Sequence, residues 1–172
     1  VPTRAGKSEI ACDHPAEMNH PRIPPIPQYL SHYEHYDAPL AQKYPLQLLT
    51  AHSKIRTHST LERVPWLREL ERQGAWIHPK DAAARNIKDG DLIDIFNDRG
   101  RIRISARVTE RIMPGVVNVF QGGWYTPDAT GVDVDESENT LTKDEPSTGG
   151  AFPMNSALVE VAPAPAEKKK KK

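Results

Sequence analysis

Cysteine is nearly absent from this chain: among 172 residues there is one, Cys12. A single thiol excludes an internal disulfide framework and a cysteine-rich cluster or zinc site within the chain. No apolar run approaches the roughly 18 residues of a membrane helix, and no signal-peptide pattern opens the sequence. Aromatic residues make up 6% and mean hydropathy is −0.64. That is lean for a chain closing entirely on its own core, so part of it is expected to lie outside a core or to rest on something else. An excess of one charge is also missing, with 23 basic against 23 acidic residues. Residues 168–172 are all lysine; with those set aside, 18 basic residues face 23 acidic ones, a net of −5. This excludes the basic field that nucleic-acid binding needs. Neither G-x-G-x-x-G nor a Walker A pattern occurs, and no serine sits in a nucleophile elbow.

Proline is what the sequence has in quantity. Eight of its 16 prolines fall at or before Pro45. Proline lacks an amide hydrogen and clashes with the preceding helical turn, so residues 21–27 (PRIPPIP) cannot run as a helix. Residues 1–44 therefore read as an irregular arm that wraps another part of a larger protein. Four histidines (His14, His20, His32, His35) lie on it. A metal site made from them is the sharper alternative, but they lack a helical H-x-x-x-H pair and a rigid carrier. Cys12, on the same arm, has no convincing partner.

Order is expected from about Tyr44. Short strands are predicted over 45–50, 75–78, 91–96, 101–109, 116–120 and 157–161. The clearest is 101–109, where Ile102, Ile104, Ala106 and Val108 alternate with Arg101, Arg103, Ser105 and Arg107. Residues 60–73 have a helical tendency, with Pro65 at the first turn and Leu67 and Leu70 on one face. Residues 79–85 form a short alanine-rich helix. Asn97-Asp-Arg-Gly100 is a hairpin turn. From Ala162 onward the chain reads as a solvated tail, the lysines as an inert end or as a patch for anionic surfaces. The pattern predicts a small closed β-barrel, with a connection of roughly 30 residues before its last strand. Connections of that length are usually functional.

Two polar loops are candidates for chemistry. Residues 52–60 (HSKIRTHST) offer two imidazoles, a lysine, a guanidinium and four hydroxyls. They contain no carboxylate. This donor-rich inventory suits an oxygen-rich anion such as a pyrophosphate; a solvent-exposed loop with no ligand is the alternative. The second is Gln121-Gly-Gly-Trp-Tyr125 with the long connection behind it. Gly122 and Gly123 permit close backbone approach, Trp124 and Tyr125 offer flat faces, and Asn139 and Asn155 have the donor–acceptor pairs that match a pterin or purine edge. Trp124 read as a core aromatic, and the asparagines read as turn caps, are the plainer alternatives. Gly149 and Gly150 are placed to close the chain over such a ring.

Read in order, Pro45-Leu-Gln-Leu-Leu, His52, Ser53-Lys-Ile-Arg-Thr-His-Ser59, Trp76-Ile-His-Pro79, Asp81-Ala82, Gly90-Asp91, Phe96-Asn-Asp-Arg-Gly100, Met113-Pro-Gly-Val-Val117, Trp124-Tyr125, Asn139-Thr-Leu-Thr142 and Asn155-Ser-Ala-Leu-Val159 resemble the C-terminal, molybdopterin guanine dinucleotide-binding domain of the dimethyl sulfoxide reductase family. Within it, the chain is most similar to the catalytic subunits of the respiratory dimethyl sulfoxide reductase branch. The resemblance covers about 44 to 162. It implies a mainly β fold, a six-stranded double-psi β-barrel with short helices, preceded by the proline-rich arm. The domains implied are 1–44 (arm of the preceding domain), 45–163 (barrel) and 164–172 (lysine-rich tail). It implies molybdopterin guanine dinucleotide with molybdenum as cofactor, met by His52, Ser53, Arg56, His58 and Ser59 from the first loop. Trp124, Asn139, Thr142 and Asn155 would meet it from the second. The implied setting is an oxidoreductase of anaerobic respiration. Its implied partners are the remaining domains of its own catalytic subunit, an iron–sulfur electron-transfer subunit and a membrane anchor subunit. The implied location is a prokaryotic soluble subunit at the periplasmic or cytoplasmic face of the inner membrane. The family's cysteine-bearing iron–sulfur segment and its serine, cysteine or selenocysteine metal ligand are not identifiable here. The chain thus reads as a C-terminal fragment, expected to show no turnover alone. A freestanding pterin-dinucleotide-binding subunit is the alternative.

Overall fold

The computed structural model describes residues 3, 6–70, 74–145, 151–152 and 154–165. The expected roles of Gly149, Gly150 and the terminal lysines lie outside the described residues. The chain separates into two compact units: residues 1–32 with 144–153, and residues 33–143 with 154–172.

The first unit is mostly irregular, as its prolines require. Among its described residues the one α-helix, α1 (Asp13–Met18), ends at Asn19 in the left-handed region, with φ 46°. The Cys12 amide donates to the Pro25 carbonyl at 2.8 Å, which turns the proline stretch back toward α1. Cys12 itself is exposed and free.

The second unit is a closed barrel of six strands: β1 (Leu46–Leu49), β2 (Ala75–Ile77), β3 (Leu92–Phe96), β4 (Arg101–Val108), β5 (Val116–Asn118) and β6 (Leu158–Pro163). Their order around the wall is β1-β5-β2-β4-β3-β6. Two parallel pairs, β1 with β5 and β2 with β4, interleave within an otherwise antiparallel wall. That interleaving gives the crossed connections of the expected double-psi arrangement. The strands are short, so closure must satisfy backbone groups that a two-stranded piece would leave open. Alternation does the rest: Ile102, Ile104 and Ala106 of β4 point into a core with Leu46, Leu48, Ile77, Ile93, Ile95, Val117, Val159 and Val161.

Residues 33–44, grouped with the arm by their sequence, belong with the barrel. Glu34 is buried, pairs with Arg99 and accepts from the Leu158 amide at 2.7 Å. Tyr44 is buried against Phe96 and donates to Asp98 at 2.7 Å. Of the helix predicted over 60–73, α2 (Pro65–Leu70) forms and buries none of its residues, while 71–73 lie outside the described residues. Leu67 is half-buried and Leu70 exposed, so the face the two share is not a core face. Helix α3 (Pro79–Ala84) forms as predicted, with Pro79 at its first turn and the His78 ring accepting from the Lys80 amide at 3.1 Å.

The pairing directions sort the connections by end. Strands β1, β3 and β5 run one way and β2, β4 and β6 the other. The connections 50–74, 97–100 and 119–157 therefore gather at one end, and α3 with the 109–115 turn closes the opposite end.

Candidate functional site

The nine residues implied as cofactor contacts lie on two of the three connections at that one end. His52, Ser53, Arg56, His58 and Ser59 follow β1; Trp124, Asn139, Thr142 and Asn155 precede β6. The two connections touch. His52 bridges in parallel to Gln121, whose amide donates to the Ala51 carbonyl at 2.9 Å. Trp124 Nε1 donates to the Ser59 carbonyl at 3.1 Å. Gly122 has φ 95°, and a Cβ there would collide with the His58 carbonyl. A side chain at this position would push the loops apart.

The geometry brings four of the nine residues close together. The rings of His52 and His58 meet edge to face with centroids 4.9 Å apart. Ser59 and Trp124 join them through the hydrogen bond above. All four are exposed, while Ser53 is half-buried and its hydroxyl caps the turn by accepting from the Ile55 amide at 3.2 Å. Asn155 sits at the base of the first loop. Its Oδ1 accepts from the Thr50 amide at 2.7 Å and the Thr50 hydroxyl at 3.1 Å. Asn139 and Thr142 lie beside the 97–100 hairpin, where the intervening Leu141 carbonyl accepts from Asn97 and Arg99.

Arg56 is placed differently from its neighbours. It was grouped with the solvent-facing donors of the first loop, yet it is 5% exposed. Its Nε donates to the Gln121 carbonyl at 3.1 Å and its Nη2 to the Phe120 carbonyl at 2.9 Å. Nη1 pairs with Glu62, and Nη2 lies 3.5 Å from Glu136. Burial of a guanidinium requires such partners, and the carboxylates come from outside the 52–60 segment.

Those carboxylates are what sequence reasoning missed. Glu62, Asp133, Asp135, Glu136 and Glu138 are all buried. Arg68 reaches Asp135 at 2.8 Å and Glu62 at 3.5 Å, and Arg63 reaches Asp135 at 3.0 Å. Asp133 accepts from the Thr126 and Ser137 amides and Glu138 from the Gly122 amide, ordering the long connection from within. Burial lifts the Glu136 carboxyl to about 7, and the nearby charge of Glu62 adds to this against the pull of Arg56. Burial likewise raises Glu138. A D-V-D-E-S-E run reads as a solvated loop in sequence; only its folding inward reveals the ion-pair network.

With these acids turned inward, His52, His58, Lys54 and the Ser59 hydroxyl remain facing outward. Beside His52 opens a cavity of about 280 Å³ bounded by Leu49, Lys54, Trp76, Arg111 and Phe120, among others. Two of its bounding residues carry buried donors with no acceptor among the described residues, Trp76 Nε1 and Asn118 Nδ2. On the neighbouring loop the Gln121 Oε1 acceptor is likewise buried without a partner among the described residues, and buried polar groups are rarely left unpaired, so this end offers unmet donors and an unmet acceptor. Among the described residues no group of three or more His, Cys, Asp or Glu side chains is arranged to hold a metal ion.

Comparison with known proteins adds the following. The family model for the Molydopterin (molybdopterin) dinucleotide binding domain matches residues 46–157. Dimethyl sulfoxide reductase DmsA of Haemophilus influenzae is 43% identical over 167 residues, covering 92% of this chain and 21% of that protein. DmsA of Escherichia coli is 46% identical over 140 residues, covering 81% of this chain and 17% of that protein. The chain thus spans about a fifth of the length of these relatives. Among solved structures, acetylene hydratase from Pelobacter acetylenicus superimposes with a TM-score of 0.77 at 20% identity, over 94% of this chain and 24% of that one. This last likeness concerns the fold alone.

Proposed function

We propose a role for this chain from one premise: it belongs to the molybdopterin dinucleotide binding domain family. Its work is to hold molybdopterin guanine dinucleotide at the loop end of the barrel, as the C-terminal domain of a molybdenum oxidoreductase of dimethyl sulfoxide reductase type. The observation that carries this reading is the meeting of the two loops at one end, with acids inward and donors outward. The donor set fits the group. A pyrophosphate and a pterin supply acceptor oxygens, ring nitrogens and amino donors, and this end has exposed imidazoles, a hydroxyl, a lysine, two orphaned buried donors and one orphaned buried acceptor, Gln121 Oε1, to meet them. A cavity of about 280 Å³ accommodates part of a dinucleotide, so the remainder is held by other parts of the enzyme.

His52, Ser53, His58, Ser59, Trp124, Asn139, Thr142 and Asn155 are assigned to the face that meets the cofactor. Arg56 supports that face from behind. When bound, the cofactor supplies the redox chemistry at its metal, and the protein contributes binding, orientation and electrostatics. The arm of residues 1–32 packs in the whole enzyme against a preceding domain, and the 172-residue chain alone gives no quinol- or dye-linked turnover. In the whole enzyme the partners are its other domains, an iron–sulfur subunit and a membrane anchor.

His58→Ala and Asn155→Ala in the full-length enzyme test the assignment. Both are expected to lower molybdenum and pterin content per protein. The first leaves the melting of the barrel unchanged. The second costs about 1 kcal/mol, because Asn155 also holds Thr50. Full cofactor content in both variants would overturn the assignment.

A further inference from the structure

We propose that Arg56 is a positioning residue, a buried pin that fixes the two loops against each other, with Glu136 as the partner whose charge state sets its grip. This rests on the reading of the loop end as a binding face but concerns how that face is built. Three contacts make the pin. The guanidinium leaves the first loop, crosses to the second and takes the Phe120 and Gln121 carbonyls, 2.9 and 3.1 Å away. Those carbonyls immediately precede Gly122, whose close approach to the His58 carbonyl admits no side chain. Trp124 then returns a hydrogen bond to Ser59. Moving the guanidinium therefore moves His58, Ser59 and Trp124 together.

The charges around the pin do not balance. Arg56 faces both Glu62 and Glu136. Arg68 compensates Glu62, 3.5 Å away, and is shared with Asp135, which also holds Arg63. Glu138 lies next along the same segment with its carboxylate on the Gly122 amide. Glu136 stands 3.5 Å from a guanidinium already engaged elsewhere and takes one backbone amide, that of Gly74. It is held in a strained left-handed backbone, with φ 67°. Burial raises its carboxyl to about 7. Below that pH Glu136 is neutral and Glu62 is the carboxylate that pairs with Arg56. Above it a second negative charge draws the guanidinium away from the two carbonyls.

The test uses the isotope-labelled 172-residue chain without cofactor, so its result does not depend on whether dinucleotide binds. The indole N–H resonance of Trp124 is followed by NMR from pH 5 to 9, with His52 and His58 ring signals recorded alongside. The parent chain is expected to show a Trp124 step with a midpoint near 7. Glu136→Gln, close in shape, is expected to abolish that step while leaving the His52 and His58 ring signals as in the parent and the barrel folded. Glu62→Gln is expected to move the midpoint down, because it removes the like charge that raises Glu136. A Trp124 step that persists in Glu136→Gln belongs to the histidines and overturns the proposal. So does a parent chain whose Trp124 signal is flat with pH.

Discussion

Asp94 in the barrel wall and Glu136 at the loop end are both withdrawn from water, at 1% and 3% exposure, yet they are pushed in opposite directions. Burial penalises the charged form of each. At Asp94 hydrogen bonds outweigh that penalty. Arg103 donates at 2.6 and 2.9 Å and Arg101 at 2.8 Å, and the carboxyl is held below its ordinary value. At Glu136 one guanidinium, shared with Glu62 and two carbonyls, stands 3.5 Å off, the Gly74 amide is the other donor, and burial still lifts the carboxyl to about 7. Depth of burial alone does not set the charge; the number and distance of committed donors does. The wall is built so that its one buried acid is charged and quiet. The loop end buries several acids around too few cations, and it is the part of the barrel that responds to protons.

The contrast can be broken most severely in the wall itself. Ile104→Asp places an uncompensated charge on the inward face of β4; loss of the cooperative thermal transition by circular dichroism is the expected outcome. Next in size is Arg56→Met, which strands Glu62 and Glu136 without their guanidinium. A cost of about 3–5 kcal/mol in urea unfolding is expected. Arg103→Met is its counterpart in the wall, and with Arg101 still on Asp94 it is expected to cost about 1–3 kcal/mol. Equal costs for the two would erase the distinction between the regions.

The smallest effects concern pH and carry opposite signs. The lowered carboxyl of Asp94 contributes stability that is present above its ordinary value, near 3.8, and is lost as pH falls through its folded value. Asp94→Asn should therefore flatten the acid limb of the melting profile. The raised carboxyl of Glu136 contributes stability that is fully present below its ordinary 4.5 and is lost as pH rises through about 7. Glu136→Gln should remove that loss, so the variant gains on the parent as pH rises from about 4.5 to about 7 and keeps the gain above it. Parallel profiles for the parent and both variants would show that neither carboxyl titrates as described.

The fold was legible where chemistry repeats at short range. The alternation of β4, proline at the start of α3 and glycine at the 97–100 turn each specify a local geometry within a few residues. The candidate loops were legible as two clusters of donors, since composition alone distinguishes them from the strands. Other features were not. Leu67 and Leu70 share a face of α2, but a helical face is a core face only if another element covers it, and that is settled by packing. Residues 33–44 look like more of the arm until Glu34 is seen to hold both Arg99 and the Leu158 amide, 124 residues along the chain.

Residue type, spacing and order in this chain determined the barrel, its family and the two segments that carry chemistry, because strand alternation, turns and donor inventories are local properties. Which way each polar side chain turns was decided only in three dimensions. Arg56 looks outward in any reading of 52–60 and is turned inward by Glu62, the Phe120 and Gln121 carbonyls and Glu136, groups 6 to 80 residues away. A charge is buried or exposed according to its whole surroundings, and closure of the barrel is what brings those surroundings together.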